Sequence, residues 1–240
     1  MSSSIQSFLT GSRDTIPLVI AAAPFGLVYG ALAINQGLSE VLVMAMSLFV
    51  FAGASQFVAI TLLASATAFP VILATVFIVN LRHMLYAASL MPQLAKVATW
   101  LRIPMAFWLT DETFAVVSNR IAQAENNDKF TSYYLGSAIF MYSSWIFFSW
   151  LGMVLGQEIP DITSWGLDVA MVVAFVTIVA PLLKNYADWA CALTAGVSAV
   201  LTYHWPHQTG LLFSSFIAIT VGVALGYKQP KVDKEVTRNV

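Results

Sequence analysis

Four ionisable residues fall where a membrane would make them expensive. Arg82 and His83 lie within the apolar stretch 69–90, and Asp111 and Glu112 within the apolar run 104–121. A helix over 69–90 is about 33 Å long, enough to cross a bilayer, and Arg82 stands within a few Å of its midpoint. A guanidinium there costs at least ~3 kcal/mol unless it meets a partner, a cavity or water, so buried charge at this depth marks a functional site by default. Asp111 and Glu112 are the natural partners. Two adjacent carboxylates at membrane depth do not stay both ionised and both unpaired. One pairs with Arg82, which frees the other to carry a proton or meet a substrate ammonium; alternatively the segment lies at the interface and both face water. On a helix Asn80 and His83 share a face, as do His83 and Tyr86, and Arg82 and Tyr86. His83 is suited to a proton-coupled step near neutral pH. The competing reading is structural, with Arg82 neutralising a carboxylate and His83 bonded to backbone.

A second kind of chemistry comes from interrupted helices. Pro24-Phe25-Gly26 falls at the middle of the first apolar stretch and Gly53-Ala54-Ser55-Gln56 at the middle of the second. Proline removes a backbone donor and clashes with the preceding turn, and glycine weakens a helix. Breaks at that depth survive only where the freed backbone groups are buried in protein or line a cavity, and half-helix N-termini there hold carboxylates. Ser55 and Gln56 add side-chain hydrogen bonding. A kink with tight helix packing explains either break alone; two at matched depth favour a substrate site built from Pro24, Gly26, Gly53, Ser55, Gln56, Asn80, Asp111 and Glu112. Arg82, His83 and Tyr86 serve beside the two carboxylates in charge pairing or proton coupling.

The elements that must position these groups follow from composition. The 240 residues are 59% hydrophobic and only 10% charged, with a mean hydropathy of +0.78. Soluble domains carry about 25% charge, so the chain reads as an all-α polytopic transmembrane bundle, a single integral membrane domain over 1–240. Its net charge of −1 says little about partners, and no basic stripe suggests nucleic acid, so no nucleic-acid partner is expected. Candidate spans are 16–34, 41–63, 69–90, 104–121, 131–156, 165–183, 189–205 and 209–227. That makes about eight helices, seven if 104–121 is re-entrant, with breaks near the midplane. If all eight cross with the N-terminus inside, the inner side receives Arg13, Arg120, Lys129, Lys184 and the basic tail 228–240, and the outer side only Lys96 and Arg102. The positive-inside rule therefore favours eight crossings with both termini cytoplasmic. Gly26/Gly30, Gly152/Gly156 and Gly222/Gly226 carry the G-x-x-x-G spacing that lets helix backbones approach. The single cysteine, Cys191, forms no intrachain disulfide and reads as a small packing residue.

Four co-ordered motifs resemble the AzlC family of bacterial membrane proteins. They are Pro24-Phe25-Gly26-Leu27, Gly53-Ala54-Ser55-Gln56-Phe57, Asn80-Leu81-Arg82-His83-Met84-Leu85-Tyr86 and Leu109-Thr110-Asp111-Glu112-Thr113-Phe114-Ala115, with a weaker match at Ser143-Ser144-Trp145. The resemblance implies an inner-membrane exporter of branched-chain or other neutral amino acids. It also implies a small AzlD-like partner subunit and no bound cofactor. It assigns no residue a role.

The leading expectation is a secondary exporter driven by the proton gradient. The alternative is the permease subunit of an ATP-driven amino acid system, but the chain has no G-x-x-x-x-G-K-[ST] phosphate loop. An enzyme is not expected, because neither a G-x-S-x-G elbow nor an H-E-x-x-H motif is present.

Overall fold

The computed structural model describes residues 2–123, 129–158, 176, 180, 183, 185–205 and 209–227. The expected span 165–183 (apart from 176, 180 and 183) and the tail 228–240 lie outside the described residues. Within them the chain is all-helical. The first compact unit, Met1–Ala174, holds α1 (Ser2–Asn35), α2 (Glu40–Phe49), α3 (Gly53–Ala64), α4 (Phe69–Leu94), α5 (Thr99–Phe107), α6 (Asp111–Gln123) and α7 (Phe130–Glu158). The second, Phe175–Val240, holds α8 (Tyr186–Leu201) and α9 (Thr209–Tyr227). Three helices of the first unit are long and apolar enough to cross a membrane: Ser4–Asn35 of α1, Phe69–Leu94 and Phe130–Glu158.

α1 and α7 run parallel and form the spine of the first unit. Small residues make this possible. Gly26 lies against Phe148 and Ser149, Gly30 against Ser149 and Met153, Gly152 against Leu27 and Gly156 against Ala31. Thus two of the three G-x-x-x-G pairs pack on one another. Ser12 Oγ donates to the Gly136 carbonyl at 3.0 Å and Thr15 Oγ1 to Ser137 Oγ at 2.7 Å, adding the polar contacts such small-residue seams favour. The break expected at Pro24-Phe25-Gly26 is absent: α1 runs unbroken through Pro17 and Pro24. Packing against α7 keeps the helix continuous past each proline, and Gly26 serves that close approach instead.

The second expected span is not one crossing. α2 runs along α7 from its C-terminal end: Gln157 Nε2 donates to Glu40 Oε1 at 2.9 Å, and Tyr142 OH to the Leu48 carbonyl at 2.9 Å. The chain then turns at Val50, Phe51 and Ala52, with Phe51 in the left-handed region at φ 42°. That conformation costs a bulky residue ~1–3 kcal/mol. It is retained because the Phe51 ring is buried edge-on to Tyr142, centroids 4.8 Å apart. α3 folds back beside α2. Gln56 Nε2 donates to Ser47 Oγ at 3.1 Å, and Met46 packs against the cluster of Ala59, Leu62 and Ile72. Tyr29 of α1 touches both arms, donating to the Val43 carbonyl at 3.0 Å and meeting the Phe57 ring edge-on at 5.9 Å.

The fourth expected span does the same from the opposite end. α5 runs along the N-terminal half of α7: Tyr134 OH donates to the Met105 carbonyl at 2.6 Å, while the rings of Phe107 and Trp108 each lie 6.0 Å from Tyr142. α6 returns, with Arg120 stacked 5.5 Å above the Tyr133 ring. The two tips meet where Phe51 and Phe107 stand 6.4 Å apart, both against Tyr142.

The result is an inverted repeat that no residue identity advertises. Helices of 10, 12 and 26 residues (α2, α3, α4) are followed by helices of 9, 13 and 29 (α5, α6, α7) in the opposite direction. Each arm is about 14–20 Å long, near half a hydrocarbon core, so each hairpin turns back near the middle of α7 and returns to the end of the unit it came from. This corrects the charge count above. Lys96 and Arg102, expected opposite Arg13, lie at the same end of the unit as Arg13, Arg120 and Lys129, because α4 ends there and α5 starts there. In the second unit, Asn185 and Asp188 form a capping box that starts α8, and Gly222 of α9 packs on Cys191.

Candidate functional site

Two helix N-termini converge at the meeting point of the hairpins. α3 begins at Gly53 with no side-chain cap; its first intrahelical bond to the Ala52 carbonyl comes from Gln56 N, at 2.9 Å. The N–H groups of Gly53, Ala54 and Ser55 therefore have no carbonyl of their own helix to reach. α6 begins with Asp111 and Glu112 in its first turn, after Thr110, whose Oγ1 lies 3.4 Å from Thr113 N. Both carboxylates thus stand at the positive end of a helix dipole.

α4 crosses beside both tips and supplies the cation. Arg82 Nη1 lies 2.8 Å from Asp111 Oδ2, the one ion pair among the described residues, with side chains 29% and 16% exposed. The pairing expected of Arg82 is present, and Asp111 is the partner. Arg82 Nε and Asp111 Oδ1 are buried without a protein partner. Two residues before Arg82, Asn80 Oδ1 accepts from Ser55 Oγ at 2.7 Å, tying α4 to the start of α3. The Asn80 carbonyl lies 3.1 Å from His83 Nδ1. His83 meets Tyr86 edge-on at 5.9 Å, and Tyr86 stacks on Phe114 of α6 at 4.4 Å. Ser55, Asn80, Arg82, His83, Tyr86 and Asp111 thus form one connected layer across α3, α4 and α6. Glu112 adjoins it with no cation in ion-pair range among the described residues.

Of the other candidates, Gly53 stays at the start of α3, and Pro24, Gly26 and Gln56 lie outside the layer. Pro24 and Gly26 belong to α1, and Gly26 faces α7. Gly53 lies under the tip of the Trp145 indole, where a Cβ would be 2.8 Å from the ring. Gln56 is fully buried in a separate network, donating to Ser47 and accepting from Trp145 Nε1 at 3.0 Å. That network locks the first hairpin to α7, and Tyr29, Ser47 and Trp145 were not legible as parts of it. Trp145→Phe leaves Gln56 Oε1 buried without its donor, which costs ~1–3 kcal/mol. The Tm of purified protein should fall by about 5 °C; an unchanged Tm would show that the indole bond contributes nothing net.

The family described as AzlC protein matches residues 17–159. The inner membrane protein YgaZ of Escherichia coli is 28% identical over 233 residues, covering 92% of this chain and 88% of its own. An uncharacterized membrane protein of Archaeoglobus fulgidus is 34% identical over 212 residues, 85% of this chain and 88% of its own. The branched-chain amino acid transport protein AzlC of Bacillus subtilis is 25% identical over 172 residues, 72% of this chain and 66% of its own. No solved structure matches the chain significantly.

Proposed function

We propose a function from one premise: the chain belongs to the AzlC protein family, whose match takes in both hairpins and all of the charged layer. On our reading it is the large subunit of a secondary exporter of branched-chain or other neutral amino acids. It is driven by the proton gradient and acts with a small AzlD-like subunit in the bacterial inner membrane. The observation that carries this is the Arg82–Asp111 pair held between two opposed half-helix N-termini. A zwitterion suits that layer. Its carboxylate meets the free N–H groups of Gly53, Ala54 and Ser55, with Arg82 as counter-charge. Its ammonium meets Glu112. Its apolar side chain packs on the aromatic tips around Phe51, Phe107 and Trp108. Glu112 exchanges the ammonium for a proton on the far side, so inward proton movement and outward amino acid movement share one carboxylate. The basic end of the first unit, with Arg13, Lys96, Arg102, Arg120 and Lys129, is cytoplasmic by the positive-inside rule, and so is the N-terminus.

The test is efflux of radiolabelled leucine from dipeptide-loaded cells lacking their own exporters, with the small neighbouring membrane protein present or absent. Fast efflux is expected only with both. Glu112→Gln, expressed and inserted normally, should slow efflux at least tenfold, because the amide neither balances an ammonium nor exchanges a proton. Unchanged efflux in that variant would remove Glu112 from the mechanism, and no efflux by the complete pair would remove leucine as substrate.

A further inference from the structure

A cavity of about 400 Å³ opens at the basic end of the first unit, lined by Arg13, Asp14 and Pro17 of α1, Val116, Asn119 and Arg120 of α6, and Tyr133 of α7. A water takes about 30 Å³ of the liquid, so this space has room for a small amino acid. Its charges are ordered rather than scattered. Tyr133 OH donates to Asp14 Oδ2 at 2.7 Å, which fixes the carboxylate toward the cavity wall and leaves Oδ1 for another donor. Arg120 is held over the face of the same Tyr133 ring at 5.5 Å. Neither Arg13 nor Arg120 has a carboxylate in ion-pair range among the described residues. Pro17 has no N–H to offer the Arg13 carbonyl, which leaves that oxygen as a further acceptor beside Asp14. Two guanidinium groups, a fixed carboxylate and a bare carbonyl are the complement of a zwitterion's two ends.

The position of the cavity adds a route. Asn119, Val116 and Glu112 follow one another at helical spacing on one face of α6. From Asn119 to Glu112 the helix rises about 10 Å. The cavity therefore lies one short step from the charged layer, along a stripe with Val116 as its apolar middle.

We propose that this cavity is a loading site that binds an α-amino acid zwitterion from the basic face before it reaches the hairpin tips. The carboxylate lies between Arg13 and Arg120 and the ammonium on Asp14. This rests on the transport reading above, and the test separates the two. In inside-out vesicles carrying the chain with its small membrane neighbour, leucine uptake is measured against concentration. Arg120→Gln should raise KM about tenfold and leave the maximal rate within twofold; Arg120→Lys should recover part of the affinity. Arg13→Gln should behave like Arg120→Gln. Unchanged KM in both glutamine variants would overturn the proposal. A second measurement needs no variant. Phenylglyoxal modification of Arg13 and Arg120 in the wild-type protein, read by peptide mass spectrometry, should slow severalfold when leucine is present. Modification indifferent to leucine would also overturn the loading site. Absence of uptake by the wild-type pair, with leucine still protecting the arginines, would instead count against the transport reading alone.

Discussion

Replacing Arg82 by alanine is expected to reduce transport at least a hundredfold. The guanidinium does two things at once: it offsets Asp111, whose side chain is 16% exposed, and it supplies positive charge beside the start of α3. Removing one member of a fully buried pair costs ~3–5 kcal/mol, because the remaining charge is left without compensation, and the lower figure suits this part-exposed pair. At about 1.4 kcal/mol per factor of ten, that figure falling on the transport step is more than a hundredfold. Arg82→Lys keeps the charge but not the planar fork, so it should fall between wild type and alanine. The double variant Arg82→Ala with Asp111→Ala decides between a structural and a functional pair. Both charges are gone, so insertion and melting temperature should recover toward wild type, whereas leucine efflux should not. Recovered efflux would mean that the pair only holds α4 to α6.

Gly30→Val should be the most damaging change for folding. A Cβ at Gly30 would overlap the Ser149 carbonyl oxygen and the Met153 backbone nitrogen, and both are backbone atoms that no rotamer change can move. Gly152 meets the Leu27 carbonyl in the same way from the other side. Overpacking usually costs ~1–3 kcal/mol where side chains can shift. Here α1 and α7 would have to separate, so we expect the upper end of that range or beyond. The readout is the fraction of membrane-inserted protein that stays monodisperse in detergent, which should drop severalfold. Gly37→Ala is the matched control, because a Cβ there meets nothing within 4 Å. Its φ of +82° adds a modest strain of its own, which makes survival of Gly37→Ala alongside loss of Gly30→Val the sharper result. Equal behaviour of the two would sink the close-packing account.

The charged layer was legible because its signal is energetic. A cation in the middle of an apolar stretch demands an anion at the same depth, and only Asp111 and Glu112 were on offer. The glycine seams were legible for a similar reason, since small residues one turn apart have few other uses in a helix that crosses lipid. Direction was not legible. Hydropathy along the chain reports that residues 41–63 and 104–121 prefer lipid or protein to water, and it reads the same whether the chain crosses or turns back. The turn at Phe51 depends on one left-handed residue whose cost is met by burial against Tyr142, a partner about ninety positions away. One local sign is present in the sequence: Thr110 ahead of Asp111 and Glu112 is the pattern of a helix start, an oxygen-bearing cap followed by acids in the first turn. Pro24 misled in the opposite sense, since a proline inside a long apolar helix packed along a neighbour costs a hydrogen bond without ending the helix.

The opposed directions of α3 and α6 have one more consequence, for leakage. Each dipole directs its positive end to the centre of the first unit and its negative end toward an opposite face, so the centre is a barrier to any free cation approaching from either side. A hydronium ion entering that layer alone meets two helix N-termini and Arg82, the same device by which half-helix ends exclude protons from water pores. A proton can pass only as a neutral carboxylic acid, on a residue able to give it up to something else. On the proposed proton-driven reading, that barrier is what would let the empty transporter hold the gradient across its own membrane.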